Sequence, residues 1–246
     1  MSRHAEPVAA GALVLGAAAL IVSASLTAGQ VRPSSPETAQ HMREHYTKVL
    51  DVEMAVIRGD LEGAHASAMW LAAHESSKEL DKGSAAHIAA MRQAARQAAD
   101  ATDLTAAATA TASMMAACGD CHRGAGVVPP VQLPARPEVG GTVGHMLAHQ
   151  RAVDQMAAGL IIPSNASWKQ GAEALKAAPL RAAELPRDPK LTREVAAAED
   201  RVHVLADQAA AAAEEQTRVK AYAQIISSCA QCHSLHGRIW GPGIAK

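Results

Sequence analysis

The sequence Cys118-Gly119-Asp120-Cys121-His122 returns in the same form as Cys229-Ala230-Gln231-Cys232-His233, and these four cysteines are all that the 246-residue chain contains. The two motifs start at positions 118 and 229, an offset of 111. A second shared motif precedes each of them, because His41-Met42-Arg43-Glu44-His45 matches His145-Met146-Leu147-Ala148-His149 at an offset of 104. The chain therefore consists of two copies of one unit, and a Pro-rich insertion at 179–189 accounts for the difference between the offsets.

The composition favours helices and argues against a nucleic-acid partner. Aromatic residues make up 2% of the chain and Phe is missing, so a sheet core would be hard to build. Alanine, the strongest helix former, is abundant. The 23 basic and 24 acidic residues give a net charge of −1, without the surplus of Lys and Arg that phosphate binding needs. A core of Ala, Leu, Val and Met offers little large apolar surface, so we expect a bound group to help fill it.

The periodic segments predict an all-α fold of two consecutive four-helix bundles, each with its Cys-x-x-Cys-His motif at the end of the last helix. The first unit is expected at 38–124, a Pro/Gly-rich linker at 125–142 and the second unit at 143–246. Because a linker separates them, we expect the two cores to be largely independent. Asp60 and Ser164 are predicted helix caps. The predicted helices lie at about 38–58, 60–80, 84–100 and 103–122, then 143–160, 164–177, 192–213 and 214–233.

The N-terminal residues indicate export from the cytoplasm. Arg3 and His4 precede an uncharged apolar run at 8–26, which is typical of a signal peptide. The run is also close to the ~20 residues that a membrane-spanning helix needs. We therefore expect residues 1–29 to be a signal peptide or an N-terminal membrane anchor, followed by a tether at 30–37. The remaining chain is expected in the periplasm, soluble after cleavage or anchored to the inner membrane through residues 8–26.

Cys-x-x-Cys-His is the motif of covalent c-type haem attachment. Two thiols three positions apart can each add to one haem vinyl group, and the next residue then holds an imidazole against the iron. A pair of disulfides would leave the repeated histidine without a role, a thioredoxin-like pair needs a βαβ setting, and a zinc site needs further ligands at finger-like spacing. The sequence predicts two haem c groups, bound covalently by Cys118, Cys121, Cys229 and Cys232, with His122 and His233 as proximal iron ligands.

On these motifs and their place in each unit, the chain resembles a tandem of class II c-type cytochromes, the family of cytochrome c-prime and its low-spin relatives. The resemblance covers about 38–124 and 143–240. It implies a four-helix bundle in each unit with the haem at the end of the last helix. Cytochrome c-prime has an apolar far face and an open iron, so the repeated His-Met-x-x-His is a departure from its pattern.

The His-Met-x-x-His motif is expected near the far face of each haem. In an up-down bundle the last helix ends beside the start of the first helix, where this motif lies. We predict that His45 and His149, which lie deeper in their helices, are the distal iron ligands. The alternatives are Met42 and Met146, or His41 and His145, an empty sixth position, or side chains that merely line the pocket.

These features predict an electron carrier rather than an enzyme. Its partners are expected to be redox proteins of a periplasmic or membrane electron-transport chain. One alternative is a nitric oxide-binding or peroxide-reducing protein with at least one five-coordinate haem, and another is a structural subunit of a respiratory complex. His74 and His203 are expected at the surface or in satisfied core positions, and Glu199-Asp200-Arg201 is typical of a solvated helix face.

Overall fold

The computed structural model describes residues 35–74, 80, 82–181, 184 and 188–236. This part of the chain contains eight α-helices, one 3-10 turn at Lys82–Ser84 and no strand. The predicted signal peptide or anchor, with residues 30–34 of the tether, lies outside the described residues. None of the described helices is long and apolar enough to span a membrane. The helices are α1 (Pro36–Ile57), α2 (Leu61–Ala73), α3 (Ala85–Ala99), α4 (Leu104–Ala125), α5 (Gly141–Ile161), α6 (Asn165–Lys176), α7 (Pro189–Ala211) and α8 (Glu215–His236).

Polar caps fix several helix starts. The Asp60 carboxylate accepts the Gly63 amide proton at 2.9 Å, and the Ser164 hydroxyl accepts that of Ser167 at 3.2 Å, so both predicted caps are confirmed. The prediction that the second helix extends to Leu80 is wrong, because α2 ends at Ala73. His74 has an extended backbone there, with φ −64° and ψ 133°.

Each repeat packs as a ring of four helices. In the first, α1 to α4 pack in chain order and α4 returns to α1, and α5 to α8 repeat this order in the second. The predicted all-helical fold is confirmed, and the helix pairings are those of helical bundles. Ala, Val, Leu, Met and Ile supply most of the core, and its largest fully buried side chains are Trp168 and Tyr222. The Trp168 ring donates its N–H to the Ala209 carbonyl at 2.8 Å.

The two repeats share one core. Buried apolar residues of both repeats form a single cluster, so the expectation of largely independent cores is wrong for the described residues. The contact runs mainly along α4 and α8, which are antiparallel: Arg123 near the end of α4 pairs with Glu215 at the start of α8. At the other end, the Thr105 and Ser227 hydroxyls are 3.0 Å apart and hydrogen-bonded.

This antiparallel contact places the two cysteine motifs at opposite ends of the molecule. Arg123, which directly follows His122, pairs with Glu215, so the first motif lies beside the start of α8. The 18 residues from Glu215 to His233 correspond to about 27 Å along the helix axis. The two motif histidines are therefore separated by most of the length of α8.

The first helix of each repeat ends against the cysteine motif of the other repeat. A Cβ atom at Gly119 would lie only 2.2 Å from the Leu160 carbonyl oxygen, so this position on α4 has no room for a side chain. At the matching contact, Gly59 follows α1 with a φ of 75°, and a Cβ there would lie 3.1 Å from the Ser234 Cβ. Glycine therefore permits the close approach between repeats at both ends.

Buried polar pairs join the linker to α5, and α8 to α1. The linker residue Arg136 makes a bidentate pair with Asp154 of α5 at 2.8–3.0 Å, and Asp154 is 2% exposed. The Tyr222 hydroxyl of α8 donates to the Glu53 carboxyl of α1, which is 1% exposed. Burial raises the pKa of Glu53 to about 8, although the hydrogen bond from Tyr222 acts in the opposite direction. Glu53 is therefore largely protonated at neutral pH.

Candidate functional site

The motif thiols are largely sequestered. The four cysteines, all in the described part of the chain, form no disulfide. Burial, the largest cause, raises the pKa of both Cys118 and Cys229 to about 12, and it also raises that of Cys232. Thiols with raised pKa values carry little of the thiolate that disulfide exchange requires. This argues against a thioredoxin-like role for either motif.

The histidine of each motif is oriented by the other repeat. The His122 Nδ1–H donates to the Ile161 carbonyl at 2.7 Å, and the His233 Nδ1–H donates to the Ile57 carbonyl at 2.6 Å. Burial lowers the pKa of both rings, so the neutral form is favoured. A neutral ring with its proton on Nδ1 keeps a lone pair on Nε2, which is the usual state of a metal-binding histidine.

In the second repeat, the start of α5 lies beside the end of α8, as the sequence predicts. A cleft there brings the predicted distal residues Met146 and His149 together with the second cysteine motif. Glu199 of α7 and Ile57 of the other repeat line the same cleft. Further lining residues are Gln150, Val153, Leu180, Val195, Ala198, Val202, Ser228, Cys229, Cys232 and His233.

Glu199 is the centre of a polar network beside this cleft. One of its carboxylate oxygens accepts from His145 Nε2 and His203 Nε2, each at 3.0 Å, and from the Leu180 amide at 3.2 Å. The Glu199 side chain is 12% exposed, so the prediction that it belongs to a solvated face is wrong. His149 Nε2 donates to the Ala178 carbonyl at 2.9 Å. The predicted distal residues of this repeat thus already have polar partners.

The first repeat holds a cluster of three imidazoles. His41 and His45 of α1 have ring centroids 4.3 Å apart, and His74 lies 5.2–5.3 Å from each of them. Trp70 stacks on His74 at 4.0 Å. One nitrogen from each imidazole lies within 4.8 Å of the others, which is close enough for the three to meet around one metal ion with small shifts. His74 is therefore part of the same cluster as the predicted distal ligands.

Two buried polar atoms in this cluster have no hydrogen-bond partner. Among the described side chains, only His45 Nε2 and Arg92 Nε are in this state. Burial lowers the pKa of His45 to about 4, with smaller contributions from His41, His74 and Arg92. Arg92 also donates through Nη2 to the His74 carbonyl. Buried orphaned polar atoms are rare in native proteins, so each of the two indicates a place for a partner group.

Helix directions place this cluster at the same end as the first cysteine motif. Glu53 contacts Tyr222 and Ile57 contacts His233, so α1 runs in the same sense as α8. Because α8 is antiparallel to α4, α1 begins at the end where α4 finishes with His122. The start of the first helix and the cysteine motif thus lie at the same end of the first repeat, and in the second repeat they line one cleft.

Arg92 and Glu199 are the residues that the sequence analysis missed. Val195, Glu199 and Val202 have the spacing of one helix face, and both valines are buried. The sequence pattern could therefore have shown that Glu199 lies on the buried face of α7. Arg92 directly follows the buried Met91, and no periodic pattern marks it. At the offset of the cysteine motifs, Arg92 aligns with His203.

No protein-family model, curated protein or solved structure matches the chain. The function of the chain must therefore be inferred from its own residues. At each end of the molecule these residues are a thiol pair, a neutral histidine with a lone pair on Nε2, and a second group of imidazoles from the first helix of the repeat. Such a set can bind a metal ion or a metal-containing group between two imidazoles.

Proposed function

We propose that the protein is an exported dihaem c-type cytochrome that carries electrons one at a time. Thioether bonds to Cys118 and Cys121, and to Cys229 and Cys232, would attach the two haems, and the histidine of each motif would bind iron. The observation that carries the proposal is the matched state of His122 and His233. Each ring donates Nδ1–H to a backbone carbonyl, so that Nε2 is left for the metal.

Two buried atoms without hydrogen-bond partners make the first site suitable for a haem. When the proton of the neutral His45 ring is on Nδ1, the unpartnered Nε2 presents a lone pair that a metal can accept, and Arg92 Nε–H can donate to a hydrogen-bond acceptor. A haem offers both, since it carries an iron and peripheral carboxylates. We therefore retain His45 as the proposed distal ligand of this site, with Met42 and His41 as the alternatives.

The second site fits less completely. His149 and Met146 line one cleft with the second cysteine motif, which supports either residue as the distal ligand. His149 would have to exchange its bond to the Ala178 carbonyl for the iron. We propose His149, with Met146 and His145 as alternatives.

Haem iron between two strong ligands supplies a one-electron couple with little rearrangement. The chain contributes by orientation and by exclusion of water. The Ile161 and Ile57 carbonyls hold the motif rings, and the shared core covers one side of each site. Sites about 27 Å apart along α8 suit two separate one-electron centres, each near one end of the molecule. Periplasmic or membrane redox proteins are the proposed partners.

A second candidate function is gas binding or peroxide reduction at the second site. The observation that favours it is the hydrogen bond from His149 Nε2 to the Ala178 carbonyl, which would leave the sixth position open if it persists. Glu199, His145 and His203 would then form a polar network near that position.

An absorption spectrum of the denatured protein in alkaline pyridine tests the proposal. It should show two c-type haems per chain, and the native protein should be low spin and bind carbon monoxide poorly. The double variants Cys118→Ala/Cys121→Ala and Cys229→Ala/Cys232→Ala should each retain one haem. A protein without covalent haem would contradict the proposal. Ready carbon monoxide binding that disappears only with the second cysteine pair would favour the second candidate function.

A further inference from the structure

The two sites carry opposite charges beside their imidazole clusters. In the first repeat the Arg92 guanidinium of α3 donates to the backbone carbonyl of His74, a member of the imidazole cluster, and after burial and the neighbouring imidazoles Arg92 helps to lower the pKa of His45. In the second repeat Glu199 of α7 contacts the corresponding His145 at 3.0 Å and lies 3.6 Å from His149 Nε2.

The field of Glu199 also reaches the second cysteine motif. After burial and the neighbouring thiol, Glu199 contributes to the raised pKa of Cys229, and it is the second cause for Cys232 after burial. Glu199 also lines the cleft that holds both cysteines and His233. The carboxylate therefore lies where it can act on any group attached to these thiols.

Neighbouring charges reduce this contrast but do not reverse it. His145 and His203 both donate to the same oxygen of Glu199, and Nδ1 of His203 donates to the Lys176 carbonyl. Glu44 opposes Arg92 at the first site, where Arg92 has the larger effect on His45 and Glu44 the larger effect on His41, and Arg58 and Arg201 oppose Glu199 at the second. Glu44, Arg58 and Arg201 are exposed to solvent, where water and salt screen their charges. The first site remains the more positive of the two.

We propose that the two haem sites differ in reduction potential, and that the first electron is held at the first repeat, beside Arg92, rather than at the second, beside Glu199. This inference rests on the proposed function. A cation stabilises the reduced state of a nearby redox centre and an anion stabilises its oxidised state. Transfer between the sites moves one electron from the second iron to the first, with no atom exchanged.

A spectroelectrochemical titration of the full-length, haem-loaded protein tests this order. Two resolved one-electron steps are expected, with the first site favoured by a factor on the order of ten or more at half reduction. Arg92→Gln should lower only the upper potential, and Glu199→Gln should raise only the lower one. The double variant should bring the two steps together.

Charge-preserving variants separate electrostatics from packing. Arg92→Lys and Glu199→Asp should stay close to the parent potentials, and Glu194→Gln, an exposed change on α7, should move neither step. If Glu199→Gln does not fold, Arg92→Gln and Arg92→Lys still test whether the charge of Arg92 sets the upper potential. Glu199→Asp then tests whether the lower potential stays close to that of the parent. Two bound haems with equal potentials, or Arg92→Gln shifting the lower step, would overturn this inference alone. A protein without covalent haem would instead overturn the proposed function.

Discussion

Replacing Gly119 with Ala tests the contact that joins the first cysteine motif to the second repeat. The new Cβ would lie 2.2 Å from the Leu160 carbonyl oxygen, so α4 and α5 must separate by more than about 1 Å to restore ordinary contact. Overpacking of this kind costs about 1–3 kcal/mol, and loss of the hydrogen bond from His122 to Ile161 adds about 1 kcal/mol. The better helix propensity of Ala returns about 1 kcal/mol. The net loss is about 2 kcal/mol in the free energy of unfolding.

Thermal unfolding followed by circular dichroism measures this loss. For about 200 residues, 2 kcal/mol corresponds to a fall in Tm of about 4–8 °C. Gly140→Ala is the matched control, since Gly140 has a φ of −89° and a Cβ there would meet nothing within 4 Å. Its Tm should stay within about 2 °C of the parent. If Gly119→Ala were as stable as the parent or more stable, the close approach of α5 to the first motif would be refuted.

Three further changes probe the iron ligands and the buried carboxyl. His45→Ala should convert one haem to high spin and let it bind carbon monoxide, whereas loss of a near-infrared sulfur-to-iron band in Met42→Ala would assign the ligand to that residue. His122→Ala and His233→Ala should each disturb one haem spectrum and lower the free energy of unfolding by about 1–2 kcal/mol, because each also removes a bond to the other repeat; an unchanged stability in urea would contradict the shared core. Folding raises the pKa of Glu53 from 4.5 to about 8, so its contribution to stability is complete below pH 4.5 and is lost as the pH rises through 8. Glu53→Gln should flatten this decline in pH-dependent melting, and an equal slope in both proteins would refute the assignment.

The helices were predictable because their signals are local. Asp60 and Ser164 combine a capping side chain with the start of an amphipathic segment, and the structure confirms both. The early end of α2 was not predicted, and the contact found there is not local: the Arg92 guanidinium, 18 residues further along the chain, donates to the His74 carbonyl.

The convergence of helix start and cysteine motif at each end was also predictable, from helix count and connection length alone. The contact between repeats was not, since the α4–α8 contacts include the Thr105–Ser227 hydrogen bond and the Arg123–Glu215 ion pair, and neither gives a strong periodic signal. Glu199 was misassigned because its two charged neighbours in sequence, Asp200 and Arg201, suggested a solvated face. Its own position, between Val195 and Val202, is the buried one.

The intact mass of the purified protein decides whether both motifs carry haem. We expect the polypeptide mass plus two haem groups that survive denaturation, because all four motif thiols would carry thioether bonds. Each paired cysteine variant should lose the mass of one haem. A polypeptide that carries no added mass, with four thiols that still react with an alkylating reagent, would contradict the account.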